Sequence, residues 1–214
     1  MGYTFAGRIE PIIGGSFDLL GPRLDGQVLV RVSGALSKTE REFLEVLGVG
    51  MRIRSGRGEA LTEQPEPGDQ DLLFATVRSP LTLPIAPLVT NASTFLTSYW
   101  SVAPFDAPPV GRIQLRLTPI GSAEIGGTRI NRLREAVRRE QAGWWLEAKQ
   151  TMTMKWHPVA QVYLEREVAL DQNALAFDPF RTGANFTPTG LVHAMRKAVY
   201  AAGQQARQLL ALPR

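Results

Sequence analysis

Several short stretches of this chain alternate apolar and polar residues, and this alternation limits the fold more than any other feature. The predicted strands span residues 27–33, 48–54, 71–77, 110–118, 143–154 and 159–164. In the 110–118 stretch, Ile113, Leu115 and Leu117 share one face, whereas alternate positions are polar, as in a half-exposed antiparallel strand. Since strands and helices do not alternate regularly, the pattern predicts an antiparallel sheet or barrel rather than a parallel doubly wound sheet.

Helices are predicted between and after these strands, so the predicted fold class is α+β. Their ranges are 37–45, which opens with a capping box, 88–100, 129–141, which follows the N-cap Thr128, and 189–212. Residues 1–26 are rich in glycine and proline and are predicted to form an irregular N-terminal segment. The sequence thus predicts a single domain over residues 1–214: an antiparallel β-barrel with surrounding helices and a C-terminal helix.

Composition excludes several classes of function. The 214 residues are 44% hydrophobic, which suffices for one sizeable core. The net charge of +4 is spread along the chain without a basic run, so no nucleic-acid partner is indicated. The chain has no cysteine, which excludes disulfides and thiolate metal sites, and its two histidines are too far apart in sequence for a metal-ligand motif. The sequence lacks a secretory leader and a long apolar stretch, so we expect a cytoplasmic protein with no membrane partner.

Two groups of residues have chemistry that needs an explanation. Arg196, Tyr200 and Arg207 fall within about 40° of one another on the predicted terminal helix. A tyrosine between two guanidinium groups is favoured as phenolate, which is a hard ligand for ferric iron. Arg31 lies within an apolar strand and needs solvent, a carboxylate or a ligand. Spacing alone favours a solvated basic face for the terminal helix, and it equally allows Arg31 to be an edge or rim arginine.

The order of several motifs resembles the haem catalase superfamily, particularly its short catalase-related members. Residues 30–33 (VRVS) resemble the Val-Arg-Phe-Ser strand of that family, and residues 48–54 followed by Asp71-Leu72-Leu73 resemble two further strands joined by an acidic loop. Phe177-Asp178-Pro179 resembles the family's Phe-x-Pro before its proximal helix. The proximal motif of the family is Arg, three residues, Tyr, six residues, Arg, and the three residues named above on the terminal helix reproduce it.

The resemblance implies a haem b protein with a tyrosinate ligand. Tyr200 would be the axial ligand to the iron, Arg196 would keep its phenolate deprotonated, and Arg31 and Arg207 would contact the haem propionates. A homodimer or larger assembly is expected by analogy with the family.

The distal side departs from the family pattern. Residues 1–26 contain no histidine, and Ala75 or Thr76 stands where the family has an asparagine. Glu10 is the candidate for a distal acid–base group. Because peroxide disproportionation needs such a group, efficient catalase turnover is not expected, and organic hydroperoxides or slow peroxidase chemistry fit better. The alternative is a haem-free catalase-like barrel that binds an apolar or anionic small molecule, or a protein partner, without catalysis.

Overall fold

The structure, a computed structural model, describes residues 2–34, 45–56, 61–78, 91–101, 104–121, 126–172 and 174–189. Its strands are β1 (Gly2–Pro11), β2 (Gly26–Gly34), β3 (Leu47–Ser55), β4 (Gln70–Ala75), β5 (Tyr99–Trp100), β6 (Phe105–Ala107), β7 (Gly111–Pro119), β8 (Gly143–Gln150), β9 (His157–Glu167) and β10 (Thr187–Pro188). The described residues also contain one α-helix, α1 (Arg129–Arg138), and a 3₁₀ helix at Asp18–Arg23.

Eight of the strands form a closed antiparallel barrel, which confirms the predicted barrel. The order around the barrel is β7, β5, β4, β3, β2, β1, β9 and β8, and pairing between β8 and β7 closes it. Strand β6 pairs with the start of β7, and β10 pairs with β6, so these two short strands extend the sheet outside the ring. Closure leaves most strands without an unpaired edge.

Apolar side chains fill the barrel interior, since successive residues of a strand point to opposite faces of the sheet. The large, fully buried side chains of this interior include Phe5, Met51, Tyr99 and Trp144. The Tyr99 and Trp144 rings meet edge to face, with centroids 6.2 Å apart. The interior is therefore a packed core.

The chain after β9 covers the outer face of β1 to β4, and we call residues 168–188 the covering segment. Its Val168 N–H donates to Thr4 O on β1 at 2.9 Å. Leu175 packs on Leu29 of β2, and the Phe177 ring lies against Gly50 of β3. The covering segment thus buries one outer side of a barrel that would otherwise be exposed there.

The structure corrects two predictions. Residues 2–11 form β1 rather than an irregular segment, and Gly7 hides the strand pattern because it occupies an inward position. A Cβ atom at Gly7 would clash with the backbone carbonyl of Tyr163 next to a β-bulge.

Within the predicted helix 88–100, residues 91–98 form turns and Tyr99–Trp100 is a strand. Asn91 and Thr94 side chains there accept hydrogen bonds from nearby backbone N–H groups, which competes with helix formation.

Helix α1 begins as predicted, at the N-cap Thr128, whose hydroxyl accepts from Asn131 N–H. It ends at Arg138 rather than at Gln141, and Glu140 follows with a positive φ of 58°. The predicted helix at 37–45 lies outside the described residues except for Glu45, and the terminal helix lies outside them beyond Thr189. No helix in the described ranges has the length and apolar character needed to cross a membrane.

Candidate functional site

Arg31 lies on the outer face of β2, between Thr4 of β1 and Gly50 of β3. Its side chain is partly buried, and the Nε atom is fully buried without a hydrogen-bond partner. Burial lowers the pKa of the Arg31 guanidinium from its ordinary value, because desolvation disfavours the charged form. Within the described part of the chain, therefore, this strand arginine has no carboxylate to balance it.

Two glycines on the neighbouring strands make room around Arg31. A Cβ atom at Gly2 would lie 2.5 Å from Arg31 Nε, so the guanidinium rests directly against the Gly2 backbone. A Cβ atom at Gly50 would lie 2.9 Å from the Phe177 ring, so this ring also approaches the bare backbone of β3. The floor of the site is therefore backbone that carries no side chains, and larger residues at these two positions would fill it.

A second unpaired polar atom lies close to Arg31. Gln172 donates from Nε2 to the hydroxyl of Thr4 at 3.0 Å, and Thr4 is the residue directly opposite Arg31 on β1. The Oε1 atom of Gln172 is buried and has no hydrogen-bond partner. Buried polar groups are normally paired, so an unpaired donor and an unpaired acceptor flanking one threonine indicate a place for a polar group.

Arg52 on β3 lies on the same outer surface, and the nitrogen atoms of its guanidinium all donate hydrogen bonds. Arg52 and Asp71 are both 0% exposed and form a bidentate ion pair, with N–O distances of 2.9 and 3.1 Å. Arg52 also donates to the carbonyls of Glu63 and Ala176. Its side chain stacks near Phe177, 5.4 Å from the ring centroid. Every arm of this guanidinium is used, in contrast to Arg31.

The same ion pair fixes the covering segment. Asp71 accepts from the Asp178 backbone N–H at 2.9 Å and from Arg181 Nε at 3.1 Å. Phe177-Asp178-Pro179, the tripeptide that the sequence singled out, is thus held against β4 by its central residue. The buried Asp71 carboxylate thus has two partners in the covering segment besides Arg52. These hydrogen bonds fix the position of the covering segment.

A further set of hydrogen bonds fixes the chain between Arg181 and Thr189. The Gln70 side chain donates to Arg181 O and Phe186 O, and its Oε1 accepts from Phe186 N–H. Thr189 donates from its backbone N–H and its hydroxyl to Pro104 O, at 2.9 and 3.2 Å. The described part of the chain is therefore anchored at its last residue, Thr189.

The structure brings only some of the predicted site residues into view. Arg196, Tyr200 and Arg207 lie outside the described residues, so their arrangement stays a prediction. Glu10 is exposed near the end of β1, where it pairs with Arg8 at 2.7 Å. Glu10 is six residues along β1 from Thr4, the partner of Arg31, which corresponds to about 20 Å. The structure does not bring Glu10 and Arg31 together.

Sequence reasoning missed Gly2, Gln172 and the Arg52–Asp71 pair. Charged residues of opposite sign within two predicted neighbouring strands were a usable signal for that pair, because an arginine inside an apolar strand requires a partner. The approach of Gln172 to Thr4 depends on the path of the covering segment and had no local signal. Among the described residues, no cluster of three or more histidine, cysteine, aspartate or glutamate side chains is arranged to hold a metal ion.

Comparison with known proteins adds no family assignment. None of the models of known protein families matches the chain, and a search of curated proteins found no significant match.

Proposed function

We propose that this protein has a catalase-like fold, in which helices surround the barrel, and that it binds haem b on the outer side of β2. A haem propionate would contact Arg31, and Tyr200 would be the ligand to the iron. The observation that carries the proposal is the buried, unpaired Nε of Arg31. That atom lies on glycine-lined backbone beside the covering segment, which leads the chain towards the predicted Arg196, Tyr200 and Arg207.

The residues of this chain fit the chemistry of haem b. A propionate is a carboxylate, and a guanidinium is the side chain best suited to bind it. The Arg31 charge is partly desolvated, so a carboxylate would restore the lost solvation, and Gln172 Oε1 would accept a hydrogen bond from water or from a protonated carboxyl group. Tyr200 would supply a hard anionic ligand, and Arg196 would favour its phenolate form.

When bound, haem would supply the redox chemistry needed to react with hydroperoxides. The chain contributes little to proton transfer on the side of Arg31. The described residues placed beside it above, Gly2, Thr4, Gly50 and Gln172, include no efficient general base at neutral pH. We therefore propose action on organic hydroperoxides or slow peroxidase activity, with little catalase turnover.

An absorption spectrum of the purified protein with and without added hemin tests the proposal. A Soret band is expected for the wild type, and Tyr200→Phe should remove or strongly shift it. Arg31→Gln should weaken hemin binding by about tenfold, which corresponds to loss of one charge-assisted hydrogen bond. The matched control is Arg112→Gln, since Arg112 is an exposed strand arginine on β7 and its loss should leave the affinity unchanged.

The Tyr200 and Arg31 variants test two separate parts of the proposal. A Soret band that persists unchanged in Tyr200→Phe would refute the axial ligand. Equal hemin affinity in wild type and Arg31→Gln would refute the propionate contact.

The alternative function is binding of a smaller carboxylate without haem, and one observation favours it. The unpaired Arg31 Nε needs only one carboxylate as its acceptor, and it imposes no requirement for a porphyrin. If hemin gives no Soret band, thermal unfolding in the presence of decanoate, an apolar carboxylate, should distinguish this function. Stabilisation by decanoate in the wild type and in Arg112→Gln, but not in Arg31→Gln, would support it.

A further inference from the structure

The exposed large apolar side chains of the described residues are concentrated in two loops. Ile13 is 89% exposed and Leu19 is 65% exposed, both between β1 and β2. Met152 and Met154 are 95% and 89% exposed, both between β8 and β9. Four large apolar side chains that are each at least 65% exposed in two neighbouring loops indicate an interaction surface.

The topology places both loops at the same end of the barrel. Strands β1 and β9 are antiparallel neighbours, with Pro11 at the end of β1 opposite Ala160 near the start of β9. The loops also contact each other through their flanks: Ile12 N–H donates to Val159 O at 3.0 Å, and the Phe17 and His157 rings meet edge to face at 5.6 Å. We call residues 12–20 and 151–156 together the loop end.

Hydrogen bonds hold the loop end in a shape that turns the apolar side chains outward. Thr151 and Thr153 donate from their hydroxyls to the carbonyls of Arg112 and Gln150, so the methionine that follows each threonine points away from the barrel. In the other loop, the Asp18 carboxylate accepts from the backbone N–H groups of Gly14 and Gly15, immediately after Ile13. The exposure is therefore built into the loops by specific contacts.

The residues next to the methionines have the chemistry of a membrane interface. Lys155 is exposed and stands between Met154 and Trp156, and the Lys149 ammonium lies 5.2 Å from the Trp156 ring centroid. Tryptophan and lysine are favoured where apolar side chains meet lipid headgroups. The loop end also carries the Asp18 carboxylate, whose negative charge is outnumbered by the positive charges of Lys149 and Lys155.

We propose that the loop end attaches the protein to the surface of a lipid bilayer that contains anionic headgroups. The four apolar side chains are 65–95% exposed and come from two separate loops, an arrangement that suits insertion of single side chains between headgroups. The sequence predicted no membrane partner because it has no apolar span. The proposed contact is peripheral and requires none, and it is independent of haem binding.

Vesicle flotation of the full chain tests the proposal. The probes are vesicles of phosphatidylcholine with phosphatidylglycerol at three to one, and vesicles of phosphatidylcholine alone. We expect stronger binding to the anionic vesicles. The double variant Met152→Ser with Met154→Ser should reduce partitioning by about tenfold or more, because two apolar side chains no longer leave water. Lys155→Gln should reduce the preference for anionic vesicles.

Control variants and a second measurement make the result decisive. Arg138→Gln removes an exposed cation from α1, outside the loop end, and should leave binding unchanged. Circular dichroism of the methionine variant should match that of the wild type, since both side chains are solvated. Equal flotation of wild type and methionine variant would overturn the proposal. So would concentration-dependent dimerisation of the wild type that the variant loses, because the loop end would then bind a second copy of the chain.

Discussion

Arg31 and Arg52 provide a direct test of whether an arginine on the outer barrel surface serves the fold or a ligand. Each is replaced by methionine, which keeps much of the side-chain volume and removes the charge. In Arg52→Met, Asp71 loses its bidentate partner and keeps only Arg181 and the Asp178 N–H. Breaking a buried ion pair from one side costs about 3–5 kcal/mol, and the remaining partners place our expectation near 3 kcal/mol.

Arg31→Met should behave in the opposite way. Arg31 has no ion pair in the described part of the chain, and its Nε is a buried donor without an acceptor. Removing a fully buried unsatisfied donor can gain about 1–3 kcal/mol, but the Arg31 side chain is only partly buried. We therefore expect the free energy of unfolding to stay constant or to rise by up to about 1 kcal/mol.

Urea unfolding of the ligand-free protein, followed by circular dichroism, measures both changes. With a slope of about 2–3 kcal/mol per molar urea, Arg52→Met should lower the midpoint by about 1 M, and Arg31→Met should raise it by less than about 0.5 M. The exposed control Arg112→Met should change little. A loss of more than about 1 kcal/mol in Arg31→Met would show that Arg31 has a structural partner and would refute our reasoning about a ligand.

Three further predictions follow from the contacts of individual residues. Burial alone would raise the pKa of Asp69, but hydrogen bonds from Arg54 and from Glu66 N–H outweigh burial and lower the pKa. This carboxylate should therefore stabilise the fold near neutral pH, and its contribution should be lost as the pH falls below about 3.9, the value in the unfolded chain. Urea unfolding at a series of pH values should show a smaller loss of stability in acid for Arg54→Gln than for the wild type. Gly183→Ala places a Cβ atom against the backbone carbonyl of Gly68, which should cost about 1–3 kcal/mol in thermal unfolding; a fully stable variant would contradict that close approach. Burial raises the pKa of the Tyr99 phenol, which donates to Phe95 O at 2.8 Å, so its ionisation in alkali, seen by ultraviolet absorbance, should coincide with unfolding and disappear in Tyr99→Phe.

The barrel strands could be predicted because their inward residues alternate in sequence. Strand β2 was expected at 27–33 and spans Gly26–Gly34, and β7 was expected at 110–118 and spans Gly111–Pro119. Strand β1 was missed, since its inward position 7 is a glycine selected by a close approach of β9, a contact that only the folded chain shows. The helix predicted at 88–100 failed where side chains of Asn91 and Thr94 bound the local backbone instead.

The candidate site was predictable in part for a similar reason. A charged residue inside an apolar strand identifies Arg31 without knowledge of its neighbours. The lack of a partner for its Nε depends on the glycines beside it and on the path of the covering segment, which are tertiary features. Glu10 was proposed from chain order alone; the structure places it six residues along β1 from Thr4, and its role as a distal acid–base group stays a prediction.

The pairing of β1 with β9 has a consequence for synthesis of the protein. The first strand of the barrel pairs with residues 160–167, which come 149 to 162 positions later in the chain. A ribosome-bound chain that lacks those residues would expose the free edge of β1 and leave the apolar interior open. Because contacts of such high sequence separation form late and slowly, the barrel is expected to complete its fold only after β9 has left the ribosome. Chaperone protection of the nascent amino-terminal half should matter more for this protein than for a helical domain of equal length.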